Sequence, residues 1–177
     1  RFAALICSAG LAASSSWAIQ ALPFAVQVLK FNHALPPGND VNFRRAVAQG
    51  IEAEEIMGTA FPDIYKMDQS WVYGGSAYHT SRPLLKQNVA AAKASLAKSN
   101  YKGEKLIFIV DNTRPNVDAA TVFQQQMTQI GVNVELKVAD WPTTSGIGLK
   151  SDDGWNFWTH GFGIEPARRR LARGEAL

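Results

Sequence analysis

The stretch from Tyr101 to Trp141 constrains the fold most, because it reads as strand, crossover helix and strand. Leu106-Ile107-Phe108-Ile109-Val110 is a continuous apolar run. Such a run suits a strand covered on both faces, and strands of that kind are usually parallel and joined by helices. Val132, Val134, Leu136 and Val138 alternate with Asn133, Glu135 and Lys137, which predicts a second strand with one wetter face. The helix between them is punctuated: Pro115 suits a first turn, Asp118 favours the positive helix start, and Gly131 sits where a C-terminal cap belongs. Ala119, Val122, Phe123, Gln126, Met127 and Ile130 share one helical face, apolar except for Gln126. Parallel crossovers are almost always right-handed, so the fold class is α/β.

Charge narrows the function classes. The net +3 comes from the C-terminal end, where Arg168, Arg169, Arg170 and Arg173 face only Glu175; the remainder is neutral. A distributed basic face for nucleic acid is therefore absent from the pattern. The single cysteine, Cys7, leaves no disulfide framework and no cysteine-based metal site. Arg1 to Ala18 reads as the remnant of a secretory signal peptide: a positive end, an alanine-rich apolar stretch, and small residues at Ser16 and Ala18.

Further along, Val26 to Phe31 is strand-like, and Pro36-Pro37 forces an extended turn. Asn39 or Asp40 caps a helix that turns Val41, Phe43, Ala46, Val47, Gly50 and Ile51 inward, with Arg44 and Arg45 outward. Ala53 to Thr59 continues or restarts it. Phe61 to Leu85 lacks periodicity but carries Tyr65, Trp71, Tyr73 and Tyr78, so it reads as a long aromatic-rich loop that is either functional or anchored by those rings. Asn88 starts a short helix with Val89, Ala92 and Leu96 inward. Asp140-Trp141-Pro142 opens another capped helix. Trp155 to His160 is the last strand, with Trp155 and Phe157 expected on one face and Trp158 on the other. Gly161 to Pro166 is expected to leave it as a loop.

Familiar catalytic patterns do not assemble. Gly161 and Gly163 lack a third glycine, and Pro166 blocks a phosphate-cradling helix. His33, His79 and His160 are far apart in sequence, Asp152 and Asp153 are adjacent and would diverge, and no serine sits in a nucleophile elbow. Glu52, Glu54 and Glu55 read as a solvated helix face. No catalytic residue, cofactor or metal is assigned.

Several stretches in collinear order carry a resemblance: FNHALPP at Phe31–Pro37, DVNFRRAVAQGI at Asp40–Ile51, and NVAAAKASLAKSNYKGEK at Asn88–Lys105. They continue with GVNVELKVADW at Gly131–Trp141 and DGWNFWTHGFGIEP at Asp153–Pro166. Together they resemble the extracytoplasmic solute-binding proteins of peptide-type ABC transporters (solute-binding family 5, the dipeptide- and oligopeptide-binding class). The resemblance implies a single lobe of a type II-like periplasmic binding protein, with residues 19–166 as part of the second lobe and 167–177 as an unrelated basic tail. It implies a non-enzymatic, periplasmic component that hands peptides or similar solutes to an inner-membrane permease. The implied ligand residues are Trp158, Thr159, His160, Gly161, Phe162 and Glu165, with Glu165 facing a ligand's ammonium group. Family members are several times longer, so the chain is expected to be a truncated product with reduced or lost binding. The alternative is a stand-alone interaction module that homodimerises through the exposed face of the lobe.

Overall fold

The computed structural model describes residues 16–22, 25–62, 65, 67, 83–151 and 154–163. In chain order these form β1 (Ser16–Leu22), β2 (Ala25–Phe31), α1 (Val41–Gly50), α2 (Ala53–Ala60) and α3 (Val89–Leu96). They continue as β3 (Leu106–Asp111), α4 (Arg114–Ile130), β4 (Val134–Ala139), α5 (Trp141–Gly148) and β5 (Phe157–Gly163). The strands make one mixed sheet in the order β1-β2-β5-β3-β4. β3 is parallel to both β4 and β5, whereas β2 runs antiparallel to β5 and to β1. The α/β class and the strand–helix–strand core are those expected from Tyr101 to Trp141.

Local chemistry explains the helix boundaries. Asp40 caps α1 by accepting from the Asn42 amide at 2.8 Å, and Asn88 caps α3 by accepting from the Ala91 amide at 2.9 Å; each pairs one of the amides a helix start leaves open. Gly131 ends α4 at φ 92°, a left-handed backbone that glycine adopts without Cβ strain. The α4 stripe from Ala119 to Ile130 is buried throughout, Gln126 included. Gln126 tolerates burial because its amide is used: Oε1 accepts from the Glu52 amide at 3.0 Å, and Nε2 donates to Glu52 O at 3.2 Å and Glu55 Oε2 at 2.6 Å. It thereby clamps the α1–α2 junction to α4, and Glu55 is tied to the core helix rather than merely solvated.

Two apolar clusters lie on opposite sides of the sheet. The larger joins α1 to α4 with the sheet and centres on Phe157, whose ring lies 5.4 Å from Phe31 and 5.3 Å from Phe123, both edge-on. Burying a phenylalanine contributes about 1.5–3 kcal/mol, and edge-to-face pairs add about 0.5–1.5 kcal/mol, so this cluster dominates the packing. The smaller cluster is Ile109, Trp155 and Trp158, with Ile107 and Ile147 against it under α5. β3 is thus covered on both faces, as its uninterrupted apolar run requires.

Two expectations are corrected. Trp155 does not share a face with Phe157; it packs with Trp158, because β5 begins only at Phe157 and Gly154 turns the preceding loop at φ 70°. Trp155 is held there by its indole N–H, which donates to Lys150 O at 2.6 Å. Gly161 to Gly163 do not form a loop but continue β5, paired with Gln27, Val26 and Ala25 of β2. β1 begins at Ser16, inside the segment read as a leader; residues 1–15 lie outside the described residues, as do 164–177 and most of 63–82.

Candidate functional site

β5 lies between β2 and β3, and successive side chains of a strand point to opposite faces, so it offers two chemically different surfaces. On the α5 side, Trp158 is 2% exposed. Its ring packs against Trp155 at 6.3 Å and 73°, and against Trp141 at 6.2 Å and 30°. Lys30, its register partner on β2, places Nζ 4.2 Å from the ring centroid, a cation–π contact. Burial holds the Lys30 ammonium below the usual lysine value. Trp158 is therefore the floor of an aromatic cluster, and Trp141, 48% exposed, is its accessible wall. α5 brings Trp141 there because Asp140 caps the helix through the Thr143 amide at 2.8 Å and Pro142 fits its first turn.

On the helical side, Thr159 is 5% exposed and sits in a polar chain that crosses four elements. Its hydroxyl donates to Val28 O at 3.0 Å and accepts from Gln27 Nε2 at 2.9 Å. Gln27 Nε2 also donates to Asn116 Oδ1 at 2.9 Å, and Asn116 Nδ2 donates to Asp111 Oδ2. The other oxygen of Asp111 accepts from the amide and the hydroxyl of Thr113. Asp111 is 4% exposed, and this complete set of donors is what a buried carboxylate needs. Among the described residues, no three metal-ligating side chains cluster.

Of the six expected ligand residues, the structure therefore brings Trp158 and Thr159 into adjacent positions on opposite faces. His160, Gly161 and Phe162 follow on the same strand, paired with Val28, Gln27 and Val26. Glu165 lies outside the described residues. Sequence reasoning passed over Trp141, Lys30, Gln27, Asn116 and Asp111. The available signals were Asp111 ending an apolar run at a strand's carboxyl end, and Gln27 and Lys30 interrupting an otherwise apolar strand.

A family model described as bacterial extracellular solute-binding proteins, family 5 Middle, matches residues 10–168. Among solved structures, the ABC transporter substrate-binding protein CtaP from Listeria monocytogenes superposes with a TM-score of 0.74 at 25% identity, over 89% of this chain and 34% of its own. A putative peptide-binding protein AppA from Clostridium difficile gives 0.72 at 19% identity, covering 89% of this chain and 34% of its own. A dipeptide-binding protein from Pseudoalteromonas sp. SM9913, in complex with Met-Leu, gives 0.65 at 19% identity, covering 82% of this chain and 29% of its own. The chain spans about a third of the length of the structures it matches, and its sheet and helices correspond to part of a substrate-binding protein lobe.

Proposed function

The chain belongs to the bacterial extracellular solute-binding proteins of family 5, and from that premise we propose that it takes part in binding a peptide or similar small solute at the carboxyl ends of β3 and β4, where α5 lies over the start of β5. The single observation that carries this reading is the cluster of Trp141, Trp155 and Trp158 with Lys30, assembled where β5 lies beside β3. Ligands of open α/β sheets bind beyond the carboxyl ends of the strands. Indoles offer apolar walls there, and the strand backbone beyond Thr159 offers donors and acceptors to an extended peptide. In this reading Trp158 supports the site from below, and the strand backbone of Thr159, His160, Gly161 and Phe162 borders it, the Thr159 hydroxyl being engaged on the opposite face. Glu165 meets the ligand's ammonium group.

The wider role proposed is that of a periplasmic substrate-binding component delivering its solute to an inner-membrane ABC permease. Peptide specificity is supported by similarity to proteins described as peptide-binding. This chain supplies one wall of a cleft, so its own affinity is proposed to be weaker than micromolar. Titration of tryptophan fluorescence with a mixture of dipeptides and tripeptides tests the reading: a saturable millimolar response, diminished in Trp141→Ala, is expected. A folded protein giving no saturable response would overturn it, and micromolar or tighter binding by calorimetry would overturn the claim that one wall binds weakly.

A further inference from the structure

β4 is an end strand of the sheet: β3 pairs with one side of it, and among the described residues no strand pairs with the other. Which of its backbone groups face outward follows from the ladder. The Leu106 amide donates to Asn133 O at 2.9 Å, and along a strand the groups aimed at one neighbour recur at every second residue. Glu135, Lys137 and Ala139 therefore turn their backbone groups toward β3, as Asn133 does, whereas Val134, Leu136 and Val138 turn theirs to the open edge. Gln124 agrees with this sense, because its Nε2 reaches Val134 O from α4 at 2.7 Å; the carbonyl keeps a second lone pair.

The side chains divide in the same way. Val134 and Leu136 pack against the larger apolar cluster, and Val138, on their face, is 48% exposed. Glu135 and Lys137 are exposed on the opposite face. Glu135 Oε2 meets Lys105 Nζ at 2.8 Å, itself an exposed pair, and among the described residues Lys137 has no carboxylate within salt-bridge reach.

A lysine on an edge strand ordinarily discourages pairing. Here a carboxylate stands two residues before it, and that spacing is self-complementary. In an antiparallel pair centred on Leu136, Glu135 lies opposite Lys137 of a second copy, and Lys137 lies opposite Glu135 of that copy. Both pairs fall at non-hydrogen-bonded positions, where Cα atoms approach to about 4.5 Å and opposite charges stabilise the sheet. The same register sets Leu136 opposite its own copy and Val134 opposite Val138, all positions whose amides and carbonyls face outward. Centring on Glu135 or on Lys137 would oppose like charges, and centring on Val134 or Val138 would part the two charges from each other.

We propose that the open edge of β4 is an interface between two copies of this chain, paired antiparallel about Leu136 into one continuous sheet. The arrangement is two-fold and closed, with the same surface contributed by both copies. It is one strand wide, below the ~1,200 Å² of a stable interface, so the dimer forms reversibly and at high concentration.

Sedimentation equilibrium of the full chain, loaded from micromolar to millimolar, is expected to show a monomer–dimer equilibrium. Glu135→Lys and Lys137→Glu each set like charges opposite one another and should weaken dimerisation about ten-fold or more. An equimolar mixture of the two should recover it, because a strand with two lysines then meets a strand with two glutamates. Circular dichroism checks that each variant is folded; Glu135→Arg or Lys137→Asp replaces one that is not. Amide exchange reads the register: Leu136 and Val138 should slow as concentration rises, whereas Glu135 and Lys137, already bonded to β3, should not. A monomer at every concentration, a mixture no more associated than its components, or association that leaves exchange at Leu136 and Val138 unchanged would overturn the proposal.

Discussion

Gly148 lies so close beneath Trp158 that a Cβ at position 148 would sit 2.3 Å from two atoms of the indole. A helix residue without a side chain is what lets α5 press onto the buried ring, so this pair sets the depth of the aromatic cluster. Gly148→Ala should force the ring or the helix to shift, and overpacking of this kind costs about 1–3 kcal/mol. Urea unfolding followed by circular dichroism measures the loss, and near-UV circular dichroism should change with it. An unchanged midpoint would mean that α5 does not bear on Trp158.

Asn32 ties the turn after β2 to the loop before β5. Its Nδ2 donates to Ser151 O and Trp155 O, both at 2.9 Å, and its Oδ1 accepts from the Ala34 amide at 3.0 Å. Asn32 is 3% exposed, so Asn32→Ala leaves the buried Trp155 carbonyl without this donor, at about 1–3 kcal/mol. Trp155 is held through this carbonyl, so the variant's tryptophan emission should move along with its unfolding midpoint. A stability loss without a spectral change would place the cost elsewhere.

How much of this was legible beforehand follows from how local each determinant is. The α4 stripe and its glycine cap were readable because helical spacing and a left-handed terminus are properties of one segment. The face of Trp155 was not, since counting alternation backward assumes a strand that starts at Trp155, and Gly154 breaks that assumption. Gly161 to Gly163 looked like loop because nothing in the segment reveals that β2 supplies an antiparallel partner for each residue. Within the site, Trp158 and Thr159 were found from their strand, but the Asp111–Asn116–Gln27–Thr159 chain draws on four elements and exists only once the sheet order is set. Trp141 reads locally as a helix opener, and its role as the exposed indole depends on α5 folding back over β3.

Gln126 offers a cleaner measure of one buried polar group. Gln126→Leu keeps roughly the same volume but removes the partner of the Glu52 amide and carbonyl. The expected loss is about 1–3 kcal/mol, from the stranded Glu52 amide rather than from a cavity, since the Glu52 carbonyl keeps the Ile56 amide at 3.3 Å. Amide exchange at Glu52 should rise well beyond that of α1 as a whole. If exchange at Glu52 is unchanged, the α1–α2 junction is held by packing alone.

Asp140 gives a pH dependence with a determined sign. Its carboxyl is held below the ordinary carboxylate value by the hydrogen bond from the Thr143 side chain first and from the Thr143 amide second. A carboxylate whose folded value is depressed stabilises the fold above its unfolded value of about 3.9, and that contribution is lost as pH falls through the lower, folded value. Asp140→Ala should therefore be less stable than the parent at neutral pH, and the gap should close on acidification below the usual carboxylate range. Because α5 carries Trp141 onto Trp158, the fluorescence of the parent should shift toward that of Asp140→Ala over the same acid interval. A stability gap that stays constant from neutral pH down to pH 2 would show that the cap does not depend on the carboxylate's charge.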